Sequence, residues 1–292
     1  MMRSALLTLI ALTFCLSAQN IFPPLRIIGN VYYVGDNDLA SYLIVTPRGN
    51  ILINTGYEYS VPEIRSRIGM LGFKFADTKI LLVTHAHSDH AAGEAAVKHL
   101  TGAKMLAMQE EVELLETGGK TDYLFGNSGW FPPVKVDRAL KDGEKIEFGG
   151  TTITAYLHPG HTKGSTSYAI EVTEGGETYH VLIANLGNIN DGTVLLHNPK
   201  YPKIVEDYSR TFAAQKQLPC DVFLTSHAGQ FGLLRKWRPG DPYDPKRFVD
   251  PEGYQRAVER SENAYLHQLQ EEREEEKAWK DHLKFKDVIP QQ

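Results

Sequence analysis

The segment from His85 to His90 places three histidines and one aspartate within six residues. A continuous apolar run, Ile80–Val83, lies just before it, as expected of a strand that is covered on both faces. The alanine-rich stretch Ala91–Leu100 follows and ends before Gly102, which indicates a helix. A polar loop between a buried strand and a helix is a typical place for an active site. The chain is therefore predicted to be an α/β protein with its site at a strand end.

The residue types in this segment indicate metal binding. Imidazole and carboxylate groups suit zinc, and a turn can direct alternate side chains at one ion while their neighbours face another. We expect His85 and His87 to bind one metal, and Asp89 and His90 to bind a second about 3.5 Å away. A zinc ion with only two protein ligands is incomplete. Further ligands must therefore come from distant parts of the sequence.

Two histidines in later loops are candidates for these missing ligands. His161 lies in the loop Gly160–Ser165, and His227 is followed closely by Gly229. Each comes after a predicted strand, so both are expected at strand ends. His158 is the alternative to His161, but we expect it to lie behind the ligands or to be exposed.

The N-terminal residues 1–18 are predicted to form a secretory signal peptide. An early positive charge precedes the apolar run Ala5–Leu16, and small residues follow at Ser17 and Ala18. The 12-residue run is shorter than the roughly 20 residues of a membrane span, so we expect no stable membrane association. Cys15 is an alternative lipid-attachment site. Cleavage after Ala18 would give a periplasmic or secreted protein whose single cysteine, Cys220, is a small core residue.

The rest of the chain alternates strands and helices without a linker. We predict one domain over residues 19–292, built from two similar halves and ending in a helix. The first three strands should form an antiparallel meander, and Ser60 should cap the first helix. The predicted strands are 26–34, 41–46, 50–54, 80–83, 145–148, 151–156, 167–172, 181–184 and 222–225, and the predicted helices are 60–71, 91–100, 204–218 and 251–284.

The charge pattern excludes some classes of partner. The 31 basic and 36 acidic residues give a net charge of −5, and no basic block favours a nucleic-acid backbone. The charged run Glu271–Lys277 is expected to be a solvated helix face. We therefore expect a monomer that acts on a small molecule.

The motifs resemble those of the metallo-β-lactamase superfamily. The resemblance covers nearly all of residues 19–292. The resemblance rests on His-X-His-X-Asp-His followed by Ala-Ala-Gly, on Gly-His-Thr-Lys-Gly-Ser at residues 160–165, and on the late histidine at 227. Within the superfamily, the chain is similar to the third subclass of metallo-β-lactamases. This similarity implies a four-layer αββα sandwich and two zinc ions per chain. It assigns the first zinc to His85, His87 and His161, and the second to Asp89, His90 and His227.

The resemblance also implies an activity. We expect zinc-dependent hydrolysis of the β-lactam ring of penicillins, cephalosporins and carbapenems by a metal-bound hydroxide, which would confer antibiotic resistance. Asp89 would orient the hydroxide and relay its proton. Because the histidines are neutral ligands, two zinc ions leave the site cationic and attractive to an anionic β-lactam.

The strand that ends at Ala184 departs from the pattern of many hydrolases of the superfamily. Glyoxalase II and the lactonases place a metal-bridging aspartate here, whereas this chain continues with Asn185. This difference disfavours a second hypothesis, a dizinc hydrolase that acts on a lactone or thioester. A third hypothesis, a non-catalytic binding protein, is disfavoured because all six ligand positions are filled.

Substrate contacts are the remaining expectation. Many members of the subclass carry serines near residue 186 that hold the substrate carboxylate, and Leu186 cannot do so. Asn188 is a candidate contact in its place. The aromatic loop Gly118–Pro133, with Tyr123 and Trp130, is either a wall of the substrate groove or a lid packed over the core.

Overall fold

A computed structural model describes residues 22–288, with side chains to residue 282. The predicted signal peptide lies outside the described residues. Within residues 22–288, no helix combines the length and apolar character needed to cross a bilayer.

The first half of the chain forms a seven-stranded mixed sheet. Its strands follow chain order, β1 to β7; neighbours from β1 to β4 are antiparallel, and those from β4 to β7 are parallel. The strands are β1 (Leu25–Ile28), β2 (Val31–Tyr33), β3 (Tyr42–Thr46), β4 (Gly49–Ile53), β5 (Thr78–Leu82), β6 (Lys104–Met108) and β7 (Arg138–Leu140).

The second half forms a five-stranded sheet in the order β12-β11-β10-β9-β8. Strands β8 to β11 are antiparallel neighbours, and β12 joins β11 in parallel. The strands are β8 (Glu144–Phe148), β9 (Thr151–Leu157), β10 (Thr166–Glu174), β11 (Glu177–Ala184) and β12 (Val222–Thr225).

Helices cover the outer faces of both sheets, which gives the four-layer αββα sandwich that the resemblance implied. Strand β4 shows how alternation makes the layers: Ile51 and Ile53 belong to the core between the sheets, whereas Leu52 packs under the helices. Helices α1, α3 and α4 cover the first sheet, and α5 and α7 pack against the second. The helices are α1 (Val61–Met70), α2 (Ser88–Ala91), α3 (Glu94–Thr101), α4 (Val112–Thr117), α5 (Ile204–Gln215), α6 (Leu233–Lys236) and α7 (Pro251–Val288).

Three local predictions are wrong. The single strand predicted over 26–34 is the hairpin β1–β2, because Gly29 turns the chain with a φ of 54°. The helix predicted over 91–100 is broken between α2 and α3 at Gly93, where a Cβ would collide with the backbone of Thr55. Ser60 makes no capping hydrogen bond, because a 3-10 turn ending at Ser60 already places it in helical backbone.

Candidate metal centre

The His85–His90 segment follows β5 and leads into α2, as the sequence predicted. Asn54, which follows the neighbouring strand β4, fixes the backbone at the start of this segment. The Asn54 backbone is left-handed, with a φ of 62°, a conformation that asparagine tolerates better than most residues. In this position its Oδ1 accepts hydrogen bonds from the backbone N–H and the hydroxyl of Thr84, at 2.8 and 3.1 Å. These two bonds therefore fix the position of Thr84, the residue just before His85.

Two groups of potential metal ligands meet at this segment. The first contains His85, His87 and His161, and the second contains His85, Asp89 and His90. In each group, the ligand atoms lie within 4.8 Å of one another. His85 belongs to both groups, so the two lie side by side.

His227 completes the cluster from the other half of the chain. Its Nε2 lies 3.6 Å from Oδ2 of Asp89, and its ring centre lies 4.8 Å from that of His90. The structure thus brings together all six residues that the sequence singled out, with His227 beside the aspartate and not beside His85. The five residues of the two groups fit a metal site, and His227 lies next to them.

The other ring nitrogens of three histidines face oxygen atoms. His161 Nδ1 lies 2.8 Å from the Asn188 carbonyl, which can only accept, so Nδ1 donates and Nε2 is left for a metal. His87 Nε2 lies 3.4 Å from Asp122 Oδ2, which leaves Nδ1 for a metal. His227 Nδ1 lies 3.4 Å from Asp38 Oδ1. Such partners fix ring orientation and make imidazole a better ligand.

The electrostatics of the site favour the ligand form of His85, His161 and Asp89. Burial, together with the neighbouring histidines, lowers the pKa of His85 well below its ordinary value and that of His161 to about 3. Burial alone would raise the pKa of Asp89, but the adjacent His90 imidazole outweighs it and holds the pKa well below the usual range. His85 and His161 are therefore neutral and Asp89 is ionised, as metal binding requires.

His90 provides a test of whether a metal fits. Both of its ring nitrogens are buried; Nδ1 has no hydrogen-bond partner among the described residues, and Nε2 lies 3.2 Å from Asp89 Oδ2 without good hydrogen-bond geometry. Leaving a buried polar atom unpaired costs about 1–3 kcal/mol. A cation bound between His90 and Asp89 would give the buried imidazole a partner. The residues therefore fit a metal with nitrogen and oxygen ligands.

A cavity of about 250 Å³ opens over the cluster. Its other lining residues are Ser88, Phe125, Gly129 and Asn190. The three predicted substrate contacts lie outside this lining. Asn188 Oδ1 accepts a hydrogen bond from Ser261, Tyr123 is buried, and Trp130 is 58% exposed with its Nε1–H donating to the Gly126 carbonyl.

The Gly118–Pro133 loop combines the two roles that the sequence left open. Phe131 and Tyr123 are buried against the protein, as expected of a lid. Phe125 instead packs edge-on against the ring of His87, with centroids 5.1 Å apart, and lines the cavity. The loop is thus both packed on the core and a wall of the cavity.

Comparisons with known proteins agree with this geometry. A model of the metallo-beta-lactamase superfamily matches residues 34–174. The native FEZ-1 metallo-beta-lactamase from Legionella gormanii is 46% identical, with 86% of this chain and 97% of that chain covered and a TM-score of 0.84. The chain belongs to the metallo-β-lactamase superfamily. A second similar member of this superfamily is the class B3 di-zinc metallo-beta-lactamase LRA-12 from an Alaskan soil metagenome, 42% identical, with 85% of this chain and 94% of that chain covered and a TM-score of 0.83.

Curated members of the superfamily match a smaller region. The hydroxyacylglutathione hydrolase from Hyphomonas neptunium is 30% identical over 112 residues, which is 38% of this chain and 37% of that protein. The chain thus spans little more than a third of this relative.

Proposed function

We propose that this metallo-β-lactamase superfamily member is a dizinc hydrolase that opens the β-lactam ring of penicillins, cephalosporins and carbapenems. The observation that carries the proposal is the convergence of His85, His87 and His161 beside Asp89, His90 and His227. The high identity to structures described as metallo-beta-lactamases, over nearly their whole length, supports the substrate class.

The two sets of three residues would each hold one zinc ion. Three imidazoles leave the fourth position of a tetrahedral zinc free for water or substrate. Asp89, His90 and His227 would hold the second ion, with Asp89 as the anionic ligand. When bound, zinc supplies Lewis acidity and a nucleophilic water at neutral pH.

The chain's own residues would orient the substrate and handle the proton. Asp89 is the only acidic side chain among the nine residues that line the cavity, and histidines are neutral when they bind a metal, so a metal-loaded cavity would be cationic and attract an anionic substrate. Asp89 Oδ2 lies 3.2 Å from His90 Nε2 and 3.6 Å from His227 Nε2, where it would orient a nucleophile and accept its proton. Phe125 would pack against the apolar part of the substrate.

A second candidate is a thioester hydrolase, favoured by the curated hydroxyacylglutathione hydrolase matches. The side chain of Asn185 disfavours it. Its Nδ2 donates to the Thr84 carbonyl at 2.9 Å and lies 3.3 Å from His85 Nδ1, so an amide occupies the place expected for a bridging carboxylate.

The expectations for the whole protein extend the proposal. We propose a single catalytic domain over residues 19–292 that acts as a monomer in the periplasm or outside the cell, directed there by the predicted signal peptide. Ring opening at that location would confer resistance on the cell that makes the enzyme.

The deciding experiment is a substrate panel on purified, zinc-loaded protein. We expect close to two zinc ions per chain by elemental analysis. We also expect hydrolysis of a chromogenic cephalosporin with a kcat/KM of about 10⁴ M⁻¹ s⁻¹ or more, abolished by a chelator. A lactone and a hydroxyacyl glutathione thioester should be poor substrates.

Two histidine variants provide the matched comparison. His227→Ala should lose part of the bound zinc, whereas His180→Ala, on β11 and paired with Asp221, should keep both ions. Turnover of the thioester or lactone without opening of the cephalosporin would reject the proposed substrate class. Full zinc content in His227→Ala would reject its assignment as a ligand.

A further inference from the structure

Glu111 is a fully buried acidic residue that the proposed chemistry does not use. It lies immediately before α4, and only 1% of its surface is exposed. A carboxylate is costly to bury unless its oxygens accept hydrogen bonds. The partners of Glu111 therefore indicate what its burial achieves.

One oxygen of Glu111 is bound to the first ligand-bearing segment. Oε1 accepts the backbone N–H of Ala86 at 2.6 Å. Ala86 lies between His85 and His87 in the sequence, so this bond fixes the backbone that carries both histidines.

The same carboxylate is bound to the loop that carries His161. The hydroxyl of Thr162 lies 2.9 Å from Oε1 and 3.0 Å from Oε2, and the backbone N–H of Gly164 donates to Oε2 at 2.9 Å. A Cβ on Gly164 would lie 2.5 Å from Oε2, so only glycine permits this approach. The two loops are 75 residues apart, counted from Ala86 to His161, yet both converge on one side chain.

We propose that Glu111 is a positioning residue that sets the distance between the His85–His87 segment and the His161 loop, and thereby the geometry of the first metal site. The neighbours that bond to its oxygens, the N–H groups of Ala86 and Gly164 and the hydroxyl of Thr162, all donate, so one carboxyl group connects the two loops. The inference rests on the proposed metal site and does not depend on the choice of substrate.

The test compares zinc affinity in Glu111→Gln, Thr162→Val and Glu94→Gln. Glutamine keeps the size of Glu111 but places an NH₂ group against a backbone N–H donor. Supporting hydrogen bonds of metal ligands are worth about 10- to 100-fold in metal affinity, so we expect a loss in that range for Glu111→Gln. Thr162→Val removes one of the bonds and should give a smaller loss. Glu94 is equally buried but makes no hydrogen bond to either loop, so Glu94→Gln should match the native protein.

Zinc affinity is measured by competition with a chromophoric chelator, and near-ultraviolet circular dichroism verifies folding. Cobalt substitution gives a second readout, because its visible absorption depends on ligand geometry and should change in Glu111→Gln but not in Glu94→Gln. A folded Glu111→Gln with native zinc affinity and a native cobalt spectrum would overturn this inference but leave the proposed function intact. If Glu111→Gln does not fold, native affinity in Thr162→Val overturns it. A native chain that binds no zinc would overturn both this inference and the proposed function.

Discussion

His158 lies behind the candidate metal centre and belongs to a buried polar network. Its Nδ1 lies 2.7 Å from the hydroxyl of Ser167, and that hydroxyl accepts the backbone N–H of Asn185 at 2.9 Å. Asn185 in turn contacts His85. His158 thus contacts His85 only through Ser167 and Asn185. Of the two positions that the sequence suggested, behind the ligands or exposed, it occupies the first. Burial lowers its pKa to about 4.

This pKa predicts a specific loss of stability in acid. An unfolded histidine titrates near 6.5, so the unfolded chain binds a proton between about pH 6.5 and 4 that the folded chain does not. The contribution of neutral His158 is fully present above pH 6.5 and is lost as the pH falls towards 4. We expect the native protein to lose about 3 kcal/mol more unfolding free energy over this interval than His158→Asn.

Urea unfolding of both zinc-loaded proteins, repeated from pH 7.5 to 4.5, measures the difference. Protonation of the metal-binding histidines affects both proteins alike and cancels in the comparison. Parallel pH profiles would contradict a neutral, buried His158.

The sequence predicted the six clustered residues but missed the residues that hold them. Four of the six share one short segment, and the other two, both histidines, follow strands, so their convergence could be predicted from strand ends. Asp122 and Glu111 give no such signal, because a single acidic residue in a loop or at a helix start is most often solvent-exposed. Their contacts depend on how a distant loop folds back, which no local pattern encodes.

Helix α7 also makes supporting contacts that its sequence pattern did not reveal. The sequence predicted this helix, and its residues Tyr254, Tyr265 and Leu269 are buried. The prediction that Glu271–Lys277 is only a solvated face is wrong. Glu272 accepts the backbone N–H groups of Leu195 and Leu196, at 2.9 and 2.6 Å.

These contacts anchor the loop between β11 and α5 that borders the cavity. One turn earlier on α7, Gln268 donates to the Thr193 carbonyl at 2.6 Å, and about three turns before Glu272, Ser261 donates to Asn188 at 2.8 Å. The same loop carries Asn190, which lines the cavity, and the Asn188 carbonyl that accepts the bond from His161. Helix α7 is therefore a support for the site and not only a cover for the sheet.

Replacing Glu272 tests this support. In Glu272→Gln, the amide offers one acceptor oxygen and places a donor near two backbone N–H groups. We expect a loss of about 1–2 kcal/mol in unfolding free energy and a several-fold lower kcat/KM. Urea unfolding and steady-state kinetics measure both effects. Glu275→Gln, on the exposed side of α7, should change neither, and an equal effect of the two substitutions would show that the loop does not depend on Glu272.

At the scale of the whole molecule, the site joins the two sheets. The His85–His90 segment follows the first sheet's β5, whereas His161 and His227 follow β9 and β12 of the second sheet. Hydrogen bonds already connect the sheets at this edge: Thr166 donates to the Thr84 carbonyl at 2.7 Å, and the hydroxyl of Tyr42 donates to the Thr225 carbonyl at 2.6 Å. A metal bound here would add a further connection between the halves.

Removing the metal should therefore destabilise both sheets together. A ligand present at about a thousand times its Kd contributes about 4 kcal/mol, and each kcal/mol shifts the Tm of a domain of this size by about 2–4 °C. We expect a chelator to lower Tm by about 10 °C, with one transition before and after, because a single apolar core spans both sheets. Differential scanning calorimetry measures this shift. Zinc added back after removal of the chelator should restore Tm, whereas magnesium should not, because the pocket is rich in nitrogen ligands. An unchanged Tm would show that the metal does not connect the sheets, whereas separate transitions after metal removal would show that the apolar core alone does not make the two halves unfold together.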